Sequence, residues 1–237
     1  MLFGQHNTIT TFKVMLLGIL LVATETVFAA IGCTLSNPAE DLKYLFPTMT
    51  TYKEELKELP RIKDGQKLFA DLRERLGSDL DPIYETFETP YTVYNIFKGT
   101  SKVGIVHGVN VPGKGGVIQV FLSTDPKSGD IRKFFFQRLE SPAAPFLKKP
   151  EFKKQFESLN LGDFYKHDYY VKTKTGSGND KVGKIQQPAG LDVNGKPDYE
   201  ATLRGVRKNL ILLDFFIYDR RFEPFFEKAK QAMGDKK

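Results

Sequence analysis

Tryptophan is missing from this sequence, cysteine occurs once, at Cys33, and histidine three times, at His6, His107 and His167. A single thiol has no partner for a disulfide, and so few Cys and His exclude the paired clusters that hold structural zinc. HExxH, GxSxG and GxxxxGK[ST] are all absent, so zinc-peptidase, α/β-hydrolase and P-loop chemistry have no starting point. No block of one charge stands out either. The 35 Lys and Arg are interleaved with 29 Asp and Glu, for a net charge of +6. That pattern argues against a nucleic-acid partner and suits contact with anionic lipid or acidic proteins. The longest apolar run, Val14 to Ala23, is about half of the ~20 residues that a membrane span requires. What the chain has in quantity is phenyl rings, 20 Phe and 10 Tyr, and its core and any ligand pocket must be built from them.

The apolar run follows Lys13 and is broken by Thr24-Glu25-Thr26. A basic residue before a short apolar core is the pattern of an export signal. The segment behind it, VFAAIGC, resembles a bacterial lipoprotein processing site: small Gly32 precedes Cys33, although Ala30 stands where such sites usually carry Leu or Val. The resemblance implies that residues 1–32 are a signal peptide and that Cys33 takes a lipid. The alternative is ordinary cleavage after Ala29 or Ala30, leaving a soluble protein. Residues 33–237 then form one domain.

Asn37-Pro38-Ala39-Glu40 reads as a helix start, with an N-cap Asn, Pro at the first helical position and an acid three residues on. It predicts a helix over Pro38–Phe46, ended by Pro47. A second amphipathic helix is expected over Gly65–Leu76, with Leu68, Leu72 and Leu76 on one face and Gly77 as its cap. The period then shortens. Tyr91–Phe97, Lys102–Val109, Val117–Leu122 and Ile131–Arg138 are β-branched and aromatic runs separated by turn residues, which predicts an antiparallel meander. Pro150 opens a short helix carrying Phe152, Phe156 and Leu159. Residues 172–198 read as a long loop or loose hairpin. A helix over Thr202–Phe216, with Leu203, Val206, Leu210 and Leu213 in a stripe, and a last one near Pro224–Met233 close the chain. The fold class is α+β, an antiparallel meander flanked by N- and C-terminal helices.

No residue reads as catalytic and no cluster as metal-binding. His107 falls inside a strand, where a packed, hydrogen-bonded histidine is expected. Gly113-Lys114-Gly115-Gly116 reads as a hairpin turn, and a Gly cluster of this kind could also approach a phosphate. The order of the segments says more: LKYLFP, VGIVHGVN, GKGGVIQVFLSTDPKSGDI, RLESPAAPFLKKPEFKKQF and YEATLRGV. This series resembles the FMN-binding domain of the flavin-carrying subunits of sodium-pumping quinone reductases and related membrane redox complexes, over about residues 38–215.

The resemblance implies a cofactor site at particular positions. Glu140-Ser141-Pro142 stand at the family's ETP loop, with Pro150, Phe152, Gln155 and Phe156 in the following helix and Gly115-Gly116 at the strand start near the flavin. Tyr199-Glu200-Ala201-Thr202 stand at its SGAT motif. Thr202, beside Ala201, would bear FMN through a phosphoester at a helix N-terminus, with Arg204, Arg207 and Lys208 as cationic partners. Tyr199-Glu200 replace Ser-Gly, so covalent FMN, non-covalent FMN and a flavin-free domain all stay open. The implied function is a membrane-anchored, exported electron carrier on the periplasmic or extracytoplasmic face, passing electrons through one FMN between redox protein partners. Its competitor is a flavin-free lipoprotein of the same fold, acting as an adaptor or ligand-binding module.

Overall fold

The computed structural model describes residues 34–173 and 179–234. Residues 1–32, read as a signal peptide, and the lipid site at Cys33 lie outside the described residues. Five antiparallel strands form one sheet in sequence order: β1 (Thr51–Glu58), β2 (Pro90–Lys98), β3 (Ser101–Gly113), β4 (Gly116–Thr124) and β5 (Ile131–Arg138). The helices are α1 (Pro38–Leu45), α2 (Gly65–Leu76), α3 (Ala144–Leu147), α4 (Pro150–Lys154), α5 (Leu161–Thr173), α6 (Lys196–Phe216) and α7 (Glu223–Gly234). The architecture is the expected α+β meander with helices before and after the sheet.

Alternation along the strands sends side chains to the two faces of the sheet. Tyr94, Ile96, Val106 and Phe121 pack against Leu35, Leu42 and Leu45, so α1 covers one face. Tyr91, Val109, Val111, Ile118, Val120, Phe134 and Phe136 point the other way into the main core, under α6. The helix lies close there because Gly205 has no side chain. A Cβ at that position would stand 3.2 Å from Val111 and 3.3 Å from Val120. Beside it, Phe134 meets Phe136, Phe152 and Phe156 edge-on, the arrangement that ring quadrupoles favour.

Several boundaries differ from those expected, each for a physical reason. The first strand, TYKEELKE, was not expected because it carries charge on both faces. It is an edge strand paired only with β2, where charge blunts edge-to-edge association. Asn37 does not cap α1 by accepting a hydrogen bond; its amide donates to Glu40 at 2.7 Å, and the Asp41 carboxylate accepts from the Asn37 backbone instead. Residues 172–198 are not one loop. Helix α5 occupies their start, and α6 begins at Lys196, six residues before Thr202. Pro197 in the first turn fits that start, since its missing N–H needs no partner there.

Candidate functional site

The Gly113–Gly116 turn between β3 and β4, the Glu140-Ser141 loop after β5 and the first turns of α6 meet at one corner. Asp198 joins two of them. Its buried carboxylate accepts from the Lys114 backbone N–H at 2.6 Å, and its backbone carbonyl accepts from the Thr202 hydroxyl at 2.8 Å. Gly115 presses on the third segment. A Cβ there would fall on the Glu140 carbonyl oxygen and stand 2.8 Å from the Ser141 Cβ. Gly116 adopts φ 121°, a conformation open to glycine and strained for other residues. Three segments far apart in sequence therefore converge.

Their contacts, however, leave the corner closed. Ala201 and Thr202 are fully buried on the second turn of α6. The free amides and positive dipole end of that helix lie at Lys196, not at Thr202. The Thr202 hydroxyl is engaged within its own helix. The cations expected beside it are held by acids elsewhere. Arg204 and Arg207 lie 3.6 and 3.7 Å from Asp79, Arg207 also pairs with Asp168 at 3.0 Å, and Lys208 with Glu85 at 2.5 Å. Asp79 is largely covered, and burial pushes its carboxyl above the usual range against the pull of Arg207, Arg204 and Lys208. Glu140 is exposed and pairs with Arg138 at 3.2 Å. Ser141 accepts from the Ala143 N–H at 3.1 Å, and Pro142 is exposed.

FMN on Thr202 does not fit this arrangement. A phosphoester there would lie on a covered side chain, one turn from the Asp198 carboxylate and without a cation directed at it. A ring could enter between Gly115 and Glu140 only if the two segments separated.

His107 is structural, as expected for a strand histidine. Asn209 donates both amide hydrogens to backbone carbonyls, of His107 at 2.9 Å and Val120 at 3.2 Å. Its Oδ1 therefore faces the ring at 3.0 Å and accepts from Nδ1–H. Burial lowers the imidazole to about 4, against the Asn209 hydrogen bond and with help from the Lys208 charge. It is neutral at pH 7, and Nε2 is buried with no hydrogen-bond partner among the described residues.

Sequence reading missed two buried ion pairs. Lys208 and Glu85 meet beside the Asn110 carbonyl, which accepts from Lys208 at 3.2 Å. Arg75 pairs with Asp214 at 3.2 Å and Glu223 at 3.0 Å and lies over the Phe215 and Phe226 rings, so it joins α2, α6 and α7. Nothing in an amphipathic helix pattern marks Arg75 as interior. Sequence reading also missed an aromatic cleft of about 450 Å³ between α5 and α7.

Among known proteins, no family model matches the chain, and no curated protein sequence matches it. Among solved structures it is similar to the crystal structure of Shewanella oneidensis NqrC, at 17% identity and a TM-score of 0.42, over 84% of this chain and 90% of that one.

Proposed function

We propose that this chain is an exported module, attached to the membrane through lipid on Cys33, that serves as an adaptor or ligand-binding subunit and carries no FMN on Thr202. The observation behind this reading is the Thr202 hydroxyl, fully buried and donated to the Asp198 carbonyl, with Arg204, Arg207 and Lys208 committed to other acids. The lone cysteine behind a short apolar core supports export and anchoring, and acyl chains buried in the bilayer would supply the attachment. The proposed location is the periplasmic or extracytoplasmic face of the membrane.

A second reading is an electron carrier holding one FMN without a covalent bond and passing electrons between redox protein partners. The convergence of the Gly113–Gly116 turn, the Glu140-Ser141 loop and the start of α6 favours it.

One experiment separates the readings. The full chain is expressed in a host that supplies flavin and a flavin transferase, then examined by absorption spectrum, intact mass and acid precipitation. The expected product has the mass of the processed polypeptide plus lipid and no flavin adduct on residues 199–204. A flavin adduct that survives denaturation would refute the reading at Thr202. Pigment released by acid, and lost in Glu140→Ala, would favour the non-covalent carrier at this corner. Cys33→Ser should leave the protein without lipid mass and outside the membrane fraction; if it stays membrane-bound, the anchor is elsewhere.

A further inference from the structure

Two clefts adjoin on the α5 side of the molecule. The first, about 450 Å³, runs between α5 and α7 and is lined by Tyr165, Tyr169, Tyr170 and Phe225, with Lys166 and Lys228. The second, about 410 Å³, continues from it, because Lys166 and Tyr170 line both. Each volume is within the range of small-molecule sites. One half of the joined groove is aromatic. The Tyr169 and Tyr170 rings meet edge-on at 5.7 Å, and the Lys166 ammonium lies 5.1 Å from the Phe225 ring centre. The other half is cationic, with Lys166, Lys181 and Lys184 lining it. Among the described residues that line it, the one carboxylate, Asp163, is already 3.4 Å from Lys181 and accepts from the Asn160 backbone.

Sequence explains why the two chemistries meet. In α5, Tyr165-Lys166 and Tyr169-Tyr170 stand four residues apart, so they stack on one side of the helix. In α7, Phe225 and Lys228 stand three apart and face them. Aromatic side chains at half-buried positions give flat surfaces on which a planar ring stacks regardless of its exact substituents. Lysine ammoniums at the edge act as compact charges for an anion.

We infer that the α5–α7 groove binds a planar aromatic phosphate monoester, with its ring against Tyr169, Tyr170 and Phe225 and its phosphate toward Lys166 and Lys228. This deepens the ligand-binding reading above, on which it rests, by placing the ligand away from Thr202.

The test is a titration of the full chain in detergent at low salt with FMN, riboflavin, AMP and inorganic phosphate, followed by flavin fluorescence and calorimetry. FMN is expected to bind saturably with quenched fluorescence. Riboflavin, which has the ring without the phosphate, should bind about tenfold more weakly. Tyr170→Ala should weaken FMN about tenfold, the usual loss when one stacking ring is removed. Lys166→Glu and Lys228→Glu, at exposed positions, should weaken it and flatten its salt dependence. Thr202→Val should leave it unchanged. If AMP competes equally, the phosphate class stands and the ring is generic.

The inference is overturned if neither FMN nor AMP saturates by millimolar concentration. It is also overturned if folded Tyr170→Ala and Lys228→Glu bind as the parent does, or if Thr202→Val abolishes binding. A covalent adduct seen by mass would overturn the adaptor reading separately, whatever the groove binds.

Discussion

Asp198 holds the Lys114 backbone N–H on its carboxylate at 2.6 Å while its own carbonyl receives the Thr202 hydroxyl at 2.8 Å. One buried residue thus fastens the β3–β4 turn to the helix that should have carried a phosphate. Removing the carboxylate takes the acceptor from a part-buried amide donor, at a cost toward the low end of about 1–3 kcal/mol. Asp198→Ala is expected to lose that much in urea denaturation. Asp198→Asn, which keeps an acceptor oxygen, should lose less than half as much. Equal losses in the two variants would show that the Lys114 amide bond contributes little.

Lys208 and Glu85 form a second buried connection, 123 residues apart in sequence, and both side chains are almost fully covered. Breaking one member strands the other charge in the interior, and such losses run to about 3–5 kcal/mol. Lys208→Met alone and Glu85→Leu alone should each destabilise by about that amount. The double variant should recover most of the loss, because both charges go together. A double variant as unstable as the sum of the singles would mean that the pair is not coupled.

His107 makes stability depend on pH. Its folded pKa of about 4 lies below the ordinary value of 6.5, so the unfolded chain binds a proton that the native imidazole refuses. The sign follows directly. The histidine's contribution is complete above about pH 6.5, declines as pH falls from there, and is lost through pH 4. Comparing the parent with His107→Leu between pH 7 and 4 isolates this slope from that of the carboxylates. The variant should be less stable at pH 7, because the Asn209 Oδ1 loses its donor, and should show a shallower decline toward pH 4. Parallel curves would remove His107 as the source.

Regular elements were legible where hydrophobic period and punctuation agreed. The limits of α2 follow from the Leu68-Leu72-Leu76 stripe and the cap at Gly77, whose φ of 54° suits glycine. The four aromatic strands follow from their alternation. Charge hid β1, whose role is to end the sheet rather than fill a core. Helix α5 was hidden by LGDFYKHDYYVKT, where polar and aromatic residues alternate without a clean stripe and burial is confined to the first turns. The order of the segments singled out the turn, the loop and the helix that meet at the corner. The closure of that corner was not, because it depends on Asp198 and on cations drawn to Asp79, Asp168 and Glu85, acids from remote parts of the chain.

The closed corner is tested most directly at its two glycines, which fail for different reasons when replaced. At Gly115 a methyl group would occupy the place of the Glu140 carbonyl oxygen. Backbone cannot rotate away as a side chain can, so the turn or the Glu140-Ser141 loop must move, and overpacking of this kind costs about 1–3 kcal/mol. At Gly116 a methyl group would enter open space, but its φ of 121° is strained for any other residue, at a similar cost of about 1–3 kcal/mol. Gly115→Ala and Gly116→Ala should therefore lose comparable stability in urea denaturation. They should differ in hydrogen exchange at Ala143, whose N–H is held by the Ser141 hydroxyl at 3.1 Å. Displacing the loop in Gly115→Ala should speed that exchange, whereas Gly116→Ala should leave it as in the parent. Unchanged Ala143 exchange in Gly115→Ala would mean that the turn gives way and the loop does not. In that case the Glu140-Ser141 segment is held by its own contacts rather than by the glycine turn.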